Sequence, residues 1–332
     1  MINTILKISS DFYFFKHSFM ITYIYMICND KYNFKDIFRA LRLPFITASV
    51  LPFIFGSLIQ RQNFNLAGFI LGLIAASATH LSANLINDYA DSKTGADWRD
   101  KNFYKFFGGS KLIQEKVLSE RFYLKAAIFF ALVATLAVIL LSFKMQRLSV
   151  IGFYTMIIIF SWSYSEKPLQ FSYRRWGEVF IFILFGPALV MGGYFIQTGV
   201  FPDLKSFLLS LPFGFLTTAI LFANEVPDFS DDQKAAKFTW VSITGLKYAF
   251  LLYYILIGAA FFAIILNVIL GYLSAWALLS VMFIGLAHKA AMILRRYPQD
   301  KMRLVESSRL TIAIQSLVGL VLISGVILWP RF

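Results

Sequence analysis

Long apolar runs separated by short polar stretches dominate this chain. Charge-free stretches fall at about 43–60, 62–87, 126–143, 148–165, 179–202, 206–224, 248–288 and 310–330. A helix needs roughly 17–25 apolar residues to cross a bilayer. The 248–288 stretch is too long for one crossing, and its "NVILGY" segment around Asn267 and Gly271 can turn it. The pattern predicts about nine transmembrane helices. Just before the first, Phe34, Ile37, Phe38 and Leu41 fall at i, i+3, i+4 and i+7, with Lys35, Arg39 and Arg42 between them. That spacing predicts an amphipathic helix lying on the membrane.

Composition agrees. The 332 residues are 58% hydrophobic and only 15% charged, with a mean hydropathy of +0.68, whereas a soluble domain is about 25% charged. The apolar excess needs lipid to cover it, so the expected fold class is an all-α integral membrane protein. A net charge of +13 could indicate nucleic acid, but its distribution argues against that. Lys93, Arg99, Lys101, Lys105 and Lys111 follow the second predicted helix, and Lys167, Arg174 and Arg175 follow the fourth. Lys234 and Lys237 follow the sixth, and Lys289, Arg295, Arg296, Lys301 and Arg303 follow the eighth. The opposite ends show only Arg61, Lys144, Arg147, Lys205 and Arg331. The excess of Lys and Arg marks the loops after even helices as cytoplasmic, with the N-terminus in and the C-terminus out. The expected partners are therefore the lipid bilayer and an anionic substrate, not nucleic acid. The single cysteine, Cys28, excludes an intramolecular disulfide and a cysteine zinc site. His17, His80 and His288 are scattered and leave little for a histidine metal centre.

Residues 1–33 read as an N-terminal extension, and 34–332 as one transmembrane domain. Lys16 and His17 interrupt "FYFFKHSFMITYIYMIC", and no small-residue cleavage site follows, which argues against a signal peptide. Two readings stay open: an interfacial segment, or a start assigned upstream of the native one, with Met26 as a candidate start.

The chemistry concentrates at two helix ends. "NLINDYADSKTGAD" runs from Asn84 to Asp97 and closes the second apolar run. Asn84, Asn87, Asp88 and Asp91 stand at i, i+3, i+4 and i+7 and share one helical face, with Asp97 from the loop beyond. "NEVPDFSDD" closes the sixth run, and its Asn224, Asp228 and Asp232 are spaced four apart. Pro227 is expected to loosen or kink that helix and free carbonyl groups near it. Both clusters follow even helices, four helices apart, so they open on one side and suggest pseudo-repeated four-helix units around a central cavity facing the cytoplasm. One acidic cluster at a helix end reads as solvated loop; two with matched spacing read as a site. Carboxylates at that density cannot all stay ionised without cations between them. Asp and Asn oxygens with no Cys or His nearby favour a hard ion such as Mg²⁺, which completes its shell with water and phosphate oxygens. His80 lies four residues before Asn84, on its face; it reads as a histidine hydrogen-bonded between helices, with substrate contact as the alternative.

These motifs resemble the UbiA superfamily of intramembrane prenyltransferases, described as nine helices with aspartate-rich motifs after helices 2 and 6. The resemblance covers the chain from about Phe34 onward. Asn87, Asp91 and Asp97 match the family's metal-binding positions, Asp88 completes an "NDxxD", and Asp228 and Asp232 match its DxxxD pair. "NDYADSKTGAD" followed by "GGSKLIQEKVLS" resembles the 1,4-dihydroxy-2-naphthoate polyprenyltransferases of menaquinone synthesis, as do "YSEKPLQFSYRRWGE" and "FGPALVMGGYFIQTG". The "V-x-R-T-x-x-R-P" run of the 4-hydroxybenzoate enzymes is absent. Ala236, Glu225 and Ser172 depart from the common pattern, where many relatives have glycine, asparagine and, in some, lysine.

The resemblance implies Mg²⁺-dependent transfer of a polyprenyl group from polyprenyl diphosphate to a small aromatic acceptor, in a bacterial cytoplasmic membrane. Asp88, Asp91, Asp228 and Asp232 would be catalytic. The metal ligand set would be Asn84, Asn87, Asp88, Asp91, Asp97, Asn224, Asp228 and Asp232. Lys93, Lys111, Arg174, Arg175 and Lys237 are candidate diphosphate contacts, and Tyr164 and Tyr173 are candidates to face the allylic cation. Homogentisate, haem or a lipid glycerol are alternative acceptors, as is 4-hydroxybenzoate. An ion-coupled transporter is the competing use of the carboxylates, but transporters favour inverted repeats and midplane sites.

Overall fold

A computed structural model describes residues 33–328; Met26 and the rest of the extension before Asn33 lie outside them. Asn33 caps α1 (Phe34–Ala40), accepting from the Lys35 N–H at 3.1 Å. Phe34 and Phe38 of its apolar face are exposed, as expected of a helix lying on lipid. After a 47° bend at Arg42, which has a left-handed φ of 48°, a short turn leads into α2 (Thr47–Leu58). Asn65 caps α3 (Leu66–Thr94), which Gly95 ends with φ of 84°. The second predicted run thus continues as helix past Asn84, Asn87, Asp88 and Asp91, with Asp97 in the turn beyond it. A loop over residues 95–118 leads to α4 (Glu120–Met145), capped by Ser119, and then to α5 (Ser149–Ser163).

The predicted 179–202 crossing is broken. α6 (Gly177–Phe185) and α7 (Pro187–Thr198) meet at Gly186, just before a proline at the first helical position. A Cβ on Gly186 would stand 2.8 Å from the Cα of Gly214, so only glycine lets this break seat against the next helix. That helix, α8 (Leu204–Lys234), starts at Asp203 and runs unbroken through Pro212 and Pro227. The kink expected at Pro227 does not interrupt it, although proline still leaves the Ala223 carbonyl without its helical donor. α9 (Val241–Ile269) ends where expected. Asn267 Nδ2 bonds the Leu208 and Ala263 carbonyls, and Gly271 follows with φ of 73°. A 3₁₀ segment (Ala275–Phe283), α10 (Ile284–Arg296) and α11 (Lys301–Leu328) complete the fold.

Among the described residues the regular structure is helical, apart from one isolated bridge between Arg174 and Phe238. Seven helical segments are long and apolar enough to cross a membrane, or eight if α1 and α2 are counted as one bent span. The remaining predicted crossing coincides with α5, whose 15 residues fall short of the roughly 17 needed. The protein is a multi-pass membrane protein. α3 packs along α4, and α8 along α9 and α11, in a core that includes Phe55, Phe213, Phe222 and Tyr253. This arrangement sets α3 and α8, the two motif helices, on opposite walls of one cavity.

Candidate active site

The cavity encloses about 570 Å³. Its polar head is lined by Asn84, Asn87, Asp91 and Asp97 from the first motif and Asn224, Asp228 and Asp232 from the second. Its body is apolar, with Phe53, Phe153, Phe160, Phe185 and Phe195 in the wall. Residues of both motifs therefore line one cavity.

Cations bridge the motifs. Lys237 Nζ stands 3.7 Å from Asp91 Oδ2 and 3.4 Å from Asp232 Oδ1, reaching one carboxylate of each motif. Burial works against its charge, but Asp232 and Asp91 outweigh burial and hold the ammonium well above the usual lysine range. Lys111 is 2% exposed; its Nζ donates to the Asp97 carbonyl at 2.8 Å and stands 3.3 Å from Asp97 Oδ1. Burial and the neighbouring Asp91 charge push the Asp97 carboxyl up to about 7, against the pull of Lys111.

Hydrogen bonds hold the first motif in place. Tyr173 OH donates to Asp91 Oδ1 at 2.7 Å and shares a 2.6 Å bond with Thr94. Asn87 Nδ2 donates to Ser165 Oγ at 2.9 Å. Tyr164 lines the cavity, whereas Tyr173 supports Asp91 from behind. His80 bonds Ser49 at 2.6 Å across helices, as read from sequence, and also lines the wall.

Asp88 stands apart. It is 2% exposed, does not line the cavity, and is paired with Arg42 and the Ser110 N–H (3.1 Å to Oδ2). Lys93, Arg174 and Arg175 are likewise not brought to the cavity. Lys93 pairs with Glu120 at 2.6 Å, Arg174 bonds the Pro168 carbonyl at 2.9 Å, and Arg175 bonds Ser242 at 3.3 Å. For Lys93 the reason is helical phase, since two residues past Asp91 turn the side chain to the far face.

Other residues at this head escaped the sequence reading. Arg42, read as a surface cation, lines the cavity and bonds Asn87 Oδ1 at 3.4 Å as well as Asp88. Lys301 joins Asp100 and Asp231, each at 2.8 Å, at the cavity rim. The "GGS" segment stitches the motifs together. Gly108 N donates to Asp228 Oδ2 at 2.9 Å, and Ser110 N donates to Asp88. Two adjacent glycines before a serine and lysine were the signal available for that loop.

The head suits a hard cation. Its donors are carboxylate and amide oxygens, its acids outnumber its cations, and Asn224 Oδ1 and Asp232 Oδ2 are buried without a partner. Among the described residues no three acidic or histidine side chains are already gathered around one point.

The sequence pattern of the UbiA prenyltransferase family matches residues 49–314, which include both motifs. The chain belongs to this family. A 1,4-dihydroxy-2-naphthoate octaprenyltransferase of Bacillus subtilis is 26% identical over 259 residues, covering 77% of this chain and 80% of that one. The UbiA prenyltransferase domain-containing protein 1 of Xenopus tropicalis is 25% identical over 225 residues, 66% of this chain and 62% of its own length. A UbiA homologue from Archaeoglobus fulgidus, solved bound to GPP and Mg²⁺, superposes with a TM-score of 0.54 at 16% identity, covering 87% of this chain and 99% of that one. This UbiA-family chain thus shares the fold of its solved relatives.

Proposed function

We propose that the protein transfers a polyprenyl group from its diphosphate to 1,4-dihydroxy-2-naphthoate, with Mg²⁺, as a step of menaquinone synthesis. Its site would open to the cytoplasm of a bacterial inner membrane. The observation that carries this reading is one cavity joining an acid–cation head to an aromatic-walled apolar body. The head matches a metal diphosphate and the body a prenyl chain. The naphthoate acceptor is supported by the "NDYADSKTGAD" and "GGSK" patterns and by the name of the Bacillus relative.

Asn87, Asp91, Asp228 and Asp232 would hold the metal, with Asn224 and Asp97 beside them. Mg²⁺, when bound, supplies positive charge to the diphosphate oxygens as the allylic C–O bond breaks. Lys237, Lys111 and Lys301 line the same head, where cations stabilise the leaving group's developing charge. Tyr173 and Thr94 fix Asp91 for its task. Below the head, the apolar walls would exclude water from the allylic carbon, with Tyr164 and Phe185 among the aromatic residues that line them. The acceptor ring carbon then bonds that carbon while the C–O electron pair leaves with diphosphate. When that ring carbon is the one bearing the carboxylate, loss of carbon dioxide from it returns the C–C electron pair to the ring, restores aromaticity and gives a demethylmenaquinol.

The direct test incubates purified protein with Mg²⁺, a polyprenyl diphosphate and a panel of aromatic acceptors, with products read by mass. A prenylated, decarboxylated naphthalenediol is the expected product. Turnover of 4-hydroxybenzoate alone would reject the acceptor, and no prenyl product with any acceptor would reject the reaction.

A further inference from the structure

Two glutamates sit side by side, Glu225 lining the cavity and Glu178 next to it, and among the described residues neither is ion-paired. Glu225 on α8 lies three residues before Asp228, about 4.5 Å along the axis at 1.5 Å per residue. It lines the cavity and is 6% exposed. Glu178, from the first turn of α6, is 1% exposed and lies within hydrogen-bond reach of Glu225. The backbone N–H of Trp240 donates to Glu178 Oε1 and anchors it. Beyond their mutual contact, Oε2 of each glutamate has no partner. Lys237, the cation acting on both, is already committed to Asp91 and Asp232.

A buried carboxyl group facing a membrane cavity is costly unless something donates to it. The diphosphate cannot, because it brings further negative charge. The prenyl chain has no donor. A phenolic hydroxyl on the aromatic acceptor is the one donor that prenyl transfer brings to this level. Glu225 also stands at the right depth, just beneath the head, where an acceptor ring must lie to reach the allylic carbon.

We propose that Glu225 binds a hydroxyl of the aromatic acceptor, and that Glu178, held by the Trp240 N–H, positions it. The assignment rests on the reading of the protein as a prenyltransferase of a phenolic acceptor. It makes Glu225 a determinant of which aromatic ring is accepted and how it is turned. A site built to receive a hydroxyl rejects the analogue in which that hydroxyl is blocked.

Equilibrium binding separates this assignment from turnover. Purified protein with Mg²⁺ and inorganic diphosphate would be titrated with 1,4-dihydroxy-2-naphthoate and with its 1,4-dimethoxy counterpart. The wild type should prefer the dihydroxy compound by up to about tenfold, the worth of one net hydrogen bond. Glu225→Leu should lose that preference by weakening the dihydroxy compound alone. Glu225→Gln, which keeps an accepting oxygen, should retain the preference to within about threefold. The KM for prenyl diphosphate and the Mg²⁺ requirement should not move in either variant, and melting temperatures would confirm folding. Glu178→Gln gives a second reading of the pair, with an expected intermediate loss of preference. Equal binding of the two compounds by the wild type would overturn the proposal, as would equal weakening of both by Glu225→Leu or a raised Mg²⁺ requirement. A wild type that discriminates between the compounds yet prenylates neither leaves this assignment standing and rejects the transfer reading.

Discussion

The backbone N–H of Gly108 donates to Oδ2 of Asp228 at 2.9 Å, joining residues 120 positions apart in the chain. Two residues later, Ser110 N donates to Asp88 on the other motif helix. The loop after α3 is thus a clamp between the two motifs, and its backbone shape decides whether they face each other. Gly108 and Gly109 have φ of 71° and 74°, and a Cβ on Gly109 would stand 2.3 Å from Asp97 Oδ2.

Gly109→Ala should therefore displace Asp97 and strain the loop. The left-handed backbone alone costs a non-glycine residue roughly 1–2 kcal/mol. Transferase activity should fall at least about tenfold, an energy of about 1.4 kcal/mol, while helical content by circular dichroism stays unchanged. Wild-type activity in this variant would show that the loop does not shape the site.

Asp91→Ala and Asp228→Ala each remove an oxygen from the head. Turnover should fall by about a hundredfold or more, the scale of losing a transition-state charge stabiliser, and excess EDTA should abolish it in the wild type. Persistent activity in EDTA would reject the metal-dependent reading.

Arg42 and Asp88 form an ion pair whose carboxylate is 3% exposed. Arg42→Met leaves that buried carboxylate with the Ser110 N–H as its remaining partner, at a cost of about 3 kcal/mol, the lower end for breaking a buried pair. Replacing both, as Arg42→Met with Asp88→Leu, should be less destabilising than Arg42→Met alone. Melting temperatures in detergent decide this, and a double variant at least as unstable as Arg42→Met would refute the pairing argument.

Asp97 predicts a pH dependence in metal-free protein. Its carboxyl, raised by burial and Asp91 to about 7 from an ordinary value of 3.8, holds a proton in the folded state that the unfolded chain has released. Its contribution to stability is complete below about pH 4 and is lost as pH rises through 7. The metal-free melting temperature should fall across that window, and Asp97→Asn should flatten the fall. An unchanged slope in Asp97→Asn would assign the dependence elsewhere.

Sidedness is testable by labelling. Lys101, Gln233 and Pro202 are all exposed. Cysteines placed at Lys101 and Gln233 should react only from the cytoplasmic side, and one at Pro202 only from the other. Reaction of the first two from opposite sides would contradict the cavity that the two neighbouring motifs line together.

Much of this was legible in the chain because bilayer crossing demands long apolar runs, and because four-residue spacing places Asn87 and Asp91 on one helical face. The break at Gly186 was not legible, since its cause is a close approach to Gly214, a contact between helices. Arg42 was misread as a surface cation for a similar reason. Its charge fits an amphipathic stretch, and only the bend between α1 and α2 turns it toward Asp88. Lys93 shares the helix of the first motif but not its phase, and Arg174 and Arg175 lie in the segment between α5 and α6 with partners of their own; proximity in sequence does not decide which way a side chain points. Glu178 closes the "YSEKPLQFSYRRWGE" run, but its pairing with Glu225 was not legible, because that partner lies on another helix.

The clamp at Gly108 also implies an order in time. At about 5–20 residues per second, synthesis reaches Asp228 roughly 6–24 s after Gly108. Asp88 precedes Ser110 by only 22 residues, so that half of the clamp can close while the ribosome is still making α4. The first motif and its loop can thus be folded and waiting when α8 enters the membrane, with the Gly108 N–H ready to receive a carboxylate that does not yet exist. An insertion intermediate truncated before α8 should already protect the loop from protease, and it would do so without any ability to bind diphosphate.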